Sequence, residues 1–155
     1  MKGLNRTFLP ISYDIQDKTI LILGGTRDAY KKITILQRFT DRFFVVARKV
    51  CDCIRKAGIP YVEKSVEPAD LDGYQILYSC TNDRDLNRRI VQWGHERGML
   101  VNIHDDPELC DFVSPAIYKD GNISVAVSTS GEDALLAIKL RDKLKDFITS
   151  EKVLA

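Results

Sequence analysis

The stretch Val101–Phe112 (VNIHDDPELCDF) places acidic, imidazole and thiol side chains directly after an apolar run. Asp105 lies at the end of that run, where a parallel sheet exposes its residues to a ligand. A carboxylate there can accept a proton from a carbon or nitrogen centre, or approach a metal ion. The alternative is an aspartate that shapes the turn before Pro107. We take Asp105 as the candidate catalytic residue.

His104 is the neighbour with the next most versatile chemistry. A single histidine between an apolar residue and an acid is more often structural than a ligand or a base. A metal set of His104, Asp105 and Cys110 can be drawn, but no ligand-spacing rule supports it. We therefore predict no metal site.

A second candidate site is the glycine turn Gly24-Gly25-Thr26-Arg27-Asp28-Ala29, which follows the apolar run 19–23. In dinucleotide folds the pyrophosphate lies on the N-terminus of the first helix, where backbone N–H groups and the helix dipole favour negative charge. In the GxGxxG/A frame Thr26 replaces the middle glycine, and Asp28 brings negative charge close to an anion site. The turn predicts nucleotide binding, with a purely structural turn as the alternative.

The second predicted strand ends in Arg48-Lys49 instead of the acid that usually holds the ribose 2′-hydroxyl. These cations suit a 2′-phosphate or an adenine-ribose edge, and a solvated strand end is the competing interpretation. A further hydroxyl-rich turn, Ser128-Thr129-Ser130-Gly131, precedes the last predicted helix. It favours either an anion or the start of that helix.

The elements that position these turns alternate along the chain. Apolar, β-branched runs predict parallel strands of the buried type at 19–23, 43–47 and 75–79, a short strand at 61–63 and a further strand at 100–103, and 3.6-residue periodicity predicts helices between them. This pattern indicates an α/β fold, a Rossmann-type parallel sheet whose ligands bind beyond the carboxyl ends of its strands. We predict that this domain covers residues 1–113.

Residues 114–155 predict a different element. Ala116-Ile117-Tyr118 and Ile123–Val127 flank a turn and form a β-hairpin, and a helix follows from about Glu132 to Thr149. Little chain remains to cover the apolar stripe of that helix, so a second copy of the protein is expected to cover it. The stripe comprises Leu136, Leu140, Leu144 and Phe147. We predict a homodimer.

Composition excludes several classes of protein. The 155 residues are 45% hydrophobic and 29% charged, with a net charge of +1, so bulk electrostatics favour neither nucleic acid nor an acidic membrane as partner. No apolar run is long enough to span a bilayer, and no signal-peptide core follows Met1. We expect a cytoplasmic protein whose four cysteines are free thiols, because their spacing matches neither zinc knuckles nor a disulfide framework.

With these motifs assembled, the chain resembles the precorrin-2 dehydrogenase and sirohydrochlorin ferrochelatase family, the amino-terminal part of siroheme synthases. The resemblance covers about residues 8–144. The motifs that carry it are Leu9-Pro10-Ile11, Leu23-Gly24-Gly25, Thr81-Asn82-Asp83 with Asn87, Asn102–Phe112 with Pro115-Ala116, and Val125–Thr129 with Gly131.

The resemblance implies an NAD-binding Rossmann domain, with NADP left open as the cofactor, and a hairpin–helix dimerisation element. It implies oxidation of precorrin-2 to sirohydrochlorin and, in several members, insertion of ferrous iron to give siroheme. The family's essential aspartate falls on Asp105. The predicted cofactor-binding residues are Gly24, Gly25, Thr26, Arg27, Asp28, Arg48, Lys49 and Thr81; the predicted substrate-binding residues are Asn102, His104, Ser128 and Thr129.

The chain departs from the family's pattern at several positions. The family usually has three consecutive glycines followed by small or aliphatic residues, where this chain has Thr26 and Asp28. After Ser128-Thr129 a glycine-rich Ser-Pro segment is replaced by Ser130-Gly131-Glu132, and we expect the second element to be shortened relative to the family. These departures leave an alternative: a tetrapyrrole-binding or regulatory protein, or a chelatase only, that has lost NAD-dependent oxidation.

Overall fold

The computed structural model describes residues 6–150, and its strands and helices alternate from residue 20 to residue 103. The strands are β1 (Ile20–Leu23), β2 (Phe43–Ala47), β3 (Tyr61–Glu63), β4 (Ile76–Ser79), β5 (Leu100–Ile103), β6 (Ala116–Asp120) and β7 (Ile123–Val127). The helices are α1 (Arg27–Leu36), α2 (Asp52–Lys56), α3 (Arg84–Glu96) and α4 (Ala134–Ser150). Two short 3₁₀ turns, Pro68–Leu71 and Pro107–Leu109, were not expected from the sequence.

The first five strands form one parallel sheet in the order β3-β2-β1-β4-β5. The order reverses between β1 and β4, and this is the topological switch point at which doubly wound sheets bind their ligands. Every residue of β1 and β4 is buried, as their continuous apolar sequences predict for strands covered on both faces. The predicted Rossmann-type sheet is confirmed.

Successive residues of β1 point into two different cores. Ile20 and Ile22 pack with Ala29 and Ile33 of α1 on one face, and Leu21 and Leu23 belong to the cluster on the other face that includes Ile90 of α3. This alternation follows from the two-residue period of a strand. The two cores hold α1 and α3 against opposite faces of the sheet, so the loops at its carboxyl edge are carried on rigid elements.

Contacts divide the chain into one unit of residues 11–112 and a second that comprises, within the described residues, 6–10 and 113–150. The sequence placed the division at residues 113 and 114 and assigned the first ten residues to the Rossmann domain. The second unit contains the β6–β7 hairpin, with Ala116 opposite Val127 and Asp120 opposite Ile123. Arg141 of α4 donates to the Ile117 carbonyl at 3.4 Å, which ties the last helix to the hairpin.

The prediction of four free thiols is wrong for one pair. Cys51 and Cys53 form a disulfide, whereas Cys80 and Cys110 are buried thiols outside it. Sequence spacing missed the bond because two cysteines separated by one residue match no common framework. In residues 6–150, no helix has both the length and the apolar character needed to cross a bilayer.

Candidate functional site

The carboxyl ends of β2, β1, β4 and β5 bring the predicted cofactor turn and the acidic stretch to one edge of the sheet. Arg48 follows β2, Gly24 follows β1, Cys80 follows β4 and His104 follows β5. Neighbouring strands lie about 4.8 Å apart, so the ends of β2 and β5 are separated by about 14 Å. We call this edge the crevice, after the place where doubly wound sheets bind their ligands; cations follow β2 at one end of it and acids follow β5 at the other.

Two glycines allow the turn after β1 to approach its neighbours. Gly24 has a φ of +110°, and a Cβ there would lie 2.9 Å from the Cys80 carbonyl oxygen. A Cβ at Gly25 would collide with the Lys49 carbonyl and lie 2.8 Å from Val50 Cα. Both glycines are required by close packing of backbone, with Gly24 against the end of β4 and Gly25 against the segment after β2.

Thr26 begins α1 in place of the usual middle glycine. Its backbone is extended, with φ −82° and ψ 175°, so this position needs no glycine. Its side-chain oxygen accepts the Ala29 N–H at 3.5 Å, as an N-cap residue does. Thr26 therefore starts the helix at the switch point, where the helix dipole favours an anion.

Asp28 lies in the first turn of α1, where its charge would oppose an anionic ligand. Lys31 donates to Asp28 Oδ1 at 3.0 Å, and this hydrogen bond and ion pair hold the pKa of the Asp28 carboxyl below its ordinary value. The lysine one turn along offsets part of the negative charge. Arg27 is exposed beside it.

Arg48 and Lys49 are exposed at the end of β2, on the adenosine side expected of a dinucleotide site. The backbone beneath them is fixed by Glu63, whose Oε1 accepts the Val50 N–H at 2.7 Å and an Arg55 N–H at 2.6 Å. The Val50 bond, followed by the contacts with Arg55, lowers the pKa of the Glu63 carboxyl. The Glu63 carboxylate thus fixes the backbone next to Arg48 and Lys49.

Asp105 has an unusual backbone conformation and an open side chain. The Asp106 N–H donates to the Ile103 carbonyl at 3.3 Å, and Asp105 occupies the third position of this turn with a φ of +58°. Glycine or asparagine is favoured at such a position. The side chain is 87% exposed, and its Oδ2 lies 3.4 Å from His104 Nε2. Strained backbone thus presents a carboxylate to solvent at the carboxyl end of β5.

Cys110 stabilises the turn that carries Asp105 from its buried side. Its Sγ accepts the Ile103 N–H at 3.1 Å. The same thiol lies at hydrogen-bond distance from two acceptors, the Ile103 carbonyl at 3.2 Å and the Asp106 carbonyl at 3.3 Å. Asn102, predicted to bind substrate, is buried, and its amide donates to the Phe112 carbonyl at 2.8 Å. Its observed contacts hold the loop in shape.

Thr81, a predicted cofactor contact, is joined to α3. Asn87 Oδ1 accepts the hydroxyls of Ser79 at 2.7 Å and Thr81 at 3.0 Å, and its Nδ2 donates to the Thr81 carbonyl at 3.1 Å. The buried amide fixes the loop after β4. The Thr81 hydroxyl therefore has a structural contact beside the crevice.

Lys32 is a site residue that the sequence did not single out, because a lysine off the apolar stripe of a helix is ordinarily solvated. Its Nζ lies 5.2 Å from the ring centroid of Tyr78, a buried residue of β4. Burial lowers the pKa of the Lys32 ammonium, while Cys80, Cys110 and Asp105 oppose that shift electrostatically.

Burial also removes Cys80 from consideration as a nucleophile, because it raises the pKa of this thiol to about 11. Among residues 6–150, no group of three or more histidine, cysteine or acidic side chains is arranged to hold a metal ion. In the set His104, Asp105 and Cys110, the cysteine sulfur lies inside the turn and the aspartate points to solvent.

The hydroxyl turn of the second unit uses its side chains to bond its own backbone and the start of α4. Ser128 Oγ accepts the Ser130 N–H at 3.1 Å, and Thr129 Oγ1 accepts the Asp133 N–H at 3.1 Å. Asp133 in turn accepts the Leu136 N–H at 2.8 Å. The Ser128 side chain is exposed, so substrate contacts by Ser128 and Thr129 stay a prediction.

The sheet order, the glycine turn at the switch point and the cations after β2 together define a dinucleotide-binding domain of the Rossmann type. Residues 11–116 match the family described as "Putative NAD(P)-binding", and the chain belongs to that family.

Most of the chain is also similar to siroheme synthases. It is 36% identical to the siroheme synthase of Sodalis glossinidius over 145 residues, which are 91% of this chain and 31% of that protein. It is 33% identical to the siroheme synthase of Vesicomyosocius okutanii over 142 residues, 89% of this chain and 30% of that protein. The chain thus spans about a third of the length of these relatives.

A solved structure, SirC, precorrin-2 dehydrogenase, superposes with a TM-score of 0.75 and 25% sequence identity, over 90% of this chain and 70% of that one. The resemblance inferred from the motifs is confirmed.

Proposed function

We propose that this chain is an NAD(P)-dependent precorrin-2 dehydrogenase of siroheme biosynthesis, which oxidises precorrin-2 to sirohydrochlorin. The observation that carries the proposal is the strained, exposed Asp105 at the same sheet edge as the glycine turn. Strain of about 1–3 kcal/mol at one residue persists where the side chain has a use. The names of the similar proteins supply the substrate.

The residues at the switch point fit a dinucleotide. The α1 N-terminus suits the pyrophosphate, the Asp28 charge is offset by Lys31, and Arg48 and Lys49 are exposed toward the adenosine side. The cofactor, when bound, supplies the hydride acceptor. Because the β2 end carries cations and no acid, we propose that NADP binds at least as well as NAD.

Asp105 is proposed to accept the proton that leaves the macrocycle as hydride is removed. Its exposure lets the carboxylate pass this proton to water, and His104 Nε2, 3.4 Å from Asp105 Oδ2, can hold the carboxylate in one orientation. Lys32 adds positive charge to this side of the crevice, which favours a substrate that carries carboxylates. Ser128 and Thr129 remain proposed substrate contacts.

We further propose a homodimer formed through α4. Its predicted stripe is exposed within the single chain: Leu136, Leu140, Leu144 and Phe147 have exposed fractions of 41–59%. Exposed apolar side chains that recur along one helix are typical of an interface between copies. The reaction is proposed to be cytoplasmic, with no nucleic acid or membrane as partner.

Ferrochelatase activity is a proposed second step at the same carboxylate. Asp105 would remove pyrrole protons as ferrous iron, the second substrate, enters the macrocycle. This step is separable by assay, because it requires sirohydrochlorin and iron and no nucleotide.

The direct test is spectral conversion of precorrin-2 by the full chain with NAD or NADP, compared with Asp105→Asn. The proposal predicts conversion by the wild type and a loss of at least about 100-fold in the variant, the typical contribution of a positioned acid or base. Tetrapyrrole binding without nucleotide binding at millimolar NAD or NADP would refute the dehydrogenase and favour the binding or chelatase alternative.

A further inference from the structure

Cys51 and Cys53 lie close enough to the glycine turn for a change in their oxidation state to affect it. Cys51 is the residue before α2 and Cys53 lies in its first turn, with their Cα atoms 5.4 Å apart. Both are half-buried and reachable from solvent, in contrast to the buried thiols Cys80 and Cys110. A disulfide closed over so short a segment is unusual in cytoplasmic proteins, where such bonds are mostly redox-active.

The segment that carries the pair is pressed directly against the glycine turn. The Cys51 N–H donates to the Gly25 carbonyl at 2.7 Å. Val50 Cα and the Lys49 carbonyl occupy the space into which a Cβ at Gly25 would project. Movement of residues 49–51 would therefore move Gly25, or break its bond to Cys51.

The disulfide reinforces an element that has little stability of its own. Helix α2 has five residues, shorter than an isolated helix can sustain, and Cys51 provides no side-chain cap for it. The Cys51 carbonyl accepts the N–H groups of Ile54 and Arg55, at 3.1 and 3.3 Å. The covalent bond holds the same turn, so its loss leaves the Cys51 backbone fixed by these bonds, by its N–H bond to Gly25 and by side-chain packing.

We propose that Cys51 and Cys53 form a thiol–disulfide exchange site, and that the disulfide form holds the neighbouring turn in its nucleotide-binding arrangement. A dithiol is the reactant: one of its thiolates attacks a sulfur of the pair and releases the other as a thiolate. The second thiol of the reductant, as thiolate, then displaces the first cysteine. Two electrons and two protons pass to the protein, which gains two thiols as the dithiol becomes a disulfide.

The effect on nucleotide affinity rests on the proposed function, because it takes NAD(P) as the ligand of the turn. Reduction relaxes the segment beneath Arg48 and Lys49, so binding must then reorder it. We expect NAD affinity to fall about fivefold, at the low end of typical coupling between two sites.

The test measures NAD binding to the full chain by calorimetry, after oxidation and after reduction with dithiothreitol. Trapping of free thiols followed by mass spectrometry reports the state of each cysteine. The double variant Cys51→Ser/Cys53→Ser is the control: it should bind like the reduced wild type, and dithiothreitol should not change it. Equal affinities in the two states, or a pair that never forms a disulfide in a glutathione redox buffer, overturn the inference.

Amide hydrogen exchange separates this inference from the proposed function. Reduction should speed exchange at Cys51, whose N–H is bonded to Gly25, while amides of β4 keep their rates. Faster exchange without NAD or NADP binding in either state refutes the proposed cofactor and leaves the coupling of the pair to the turn intact. Unchanged exchange overturns the coupling itself.

Discussion

Cys110 Sγ lies 3.1 Å from the Ile103 nitrogen, inside the turn whose outer side carries Asp105. One sulfur therefore satisfies a buried backbone N–H and links the end of β5 to the 3₁₀ turn Pro107–Leu109. Burial and three backbone contacts leave the Cys110 sulfur little access to substrate. The cysteine of the acidic motif therefore stabilises the conformation of the loop.

Cys110→Ala should destabilise the protein by about 1–3 kcal/mol, since the Ile103 N–H loses its acceptor in a buried place. Cys110→Ser retains a donor and an acceptor and should lose less. Urea unfolding of the two variants measures the difference. An alanine variant as stable as the wild type would show that the sulfur contacts contribute nothing.

Asp105→Gly should separate stability from activity. Glycine tolerates a φ of +58°, whereas an L-residue in the left-handed region costs about 1–2 kcal/mol. The variant should match or slightly exceed the wild type in melting temperature and lose the oxidation of precorrin-2. Asp105→Asn, which accepts the same backbone without the negative charge, should also fold and be inactive.

Loss of activity in both variants with unchanged melting temperatures would support chemistry at the carboxylate. Activity in Asp105→Asn close to that of the wild type would leave Asp105 as a turn residue only.

Gly25→Ala should destabilise the fold by about 1–3 kcal/mol or more and abolish nucleotide binding. The added Cβ would meet the Lys49 carbonyl and Val50 Cα, which are backbone atoms, and overpacking against a fixed neighbour typically costs about 1–3 kcal/mol or more. Gly58→Ala is the matched control: its φ is +68° but no atom lies within 4 Å of the new Cβ. Thermal unfolding should rank Gly25→Ala as the more damaging change, and the opposite order would contradict the packing argument.

The sheet was predictable because β1, β2 and β4 are continuous apolar runs, and a strand buried on both faces leaves that pattern directly in the sequence. Gly24, Thr26 and Asp105 were singled out for the same reason: each breaks such a pattern at a strand end. The motif alone did not give the roles of the glycine turn. Gly25 makes room for the backbone of Lys49 and Val50, and Thr26 caps α1.

Other contacts depend on three-dimensional proximity and leave no local signal. Asn102 and Thr81 stand in the resembling motifs, yet their side chains bond to Phe112 and Asn87. Lys32 follows Lys31 on α1, and contacts such as that with Tyr78 of β4 distinguish the half-buried lysine from the exposed one. Periodicity places a residue on a helix face, but it does not report what the neighbouring strand presents there.

Lys32→Met should stabilise the protein near pH 7 by about 1 kcal/mol, because replacing a desolvated charge by an apolar side chain is often stabilising. Burial lowers the pKa of Lys32 in the fold, so between that pKa and about 10.5 the unfolded chain binds more protons. Wild-type stability therefore rises with pH in this window, and the advantage of Lys32→Met should shrink there. Urea unfolding from pH 7 to 10.5 measures the slope.

Lys31→Met is the control for this pH series, since Lys31 is exposed and forms only a surface ion pair with Asp28. It should change stability by less than about 1 kcal/mol. Parallel behaviour of the two variants would mean that Lys32 is solvated.

Leu140→Glu should convert a dimer into a monomer. Leu140 lies on the exposed apolar stripe of α4, where a second copy is proposed to pack, and an uncompensated charge at such a position should weaken association at least about tenfold. Lys145→Glu changes an exposed position on the opposite side of the same helix, so it should leave the dimer intact. Light scattering at micromolar concentration distinguishes these outcomes. A monomeric mass for the wild type would refute the dimer, and dissociation by both variants would indicate that net charge, and not the stripe, governs assembly.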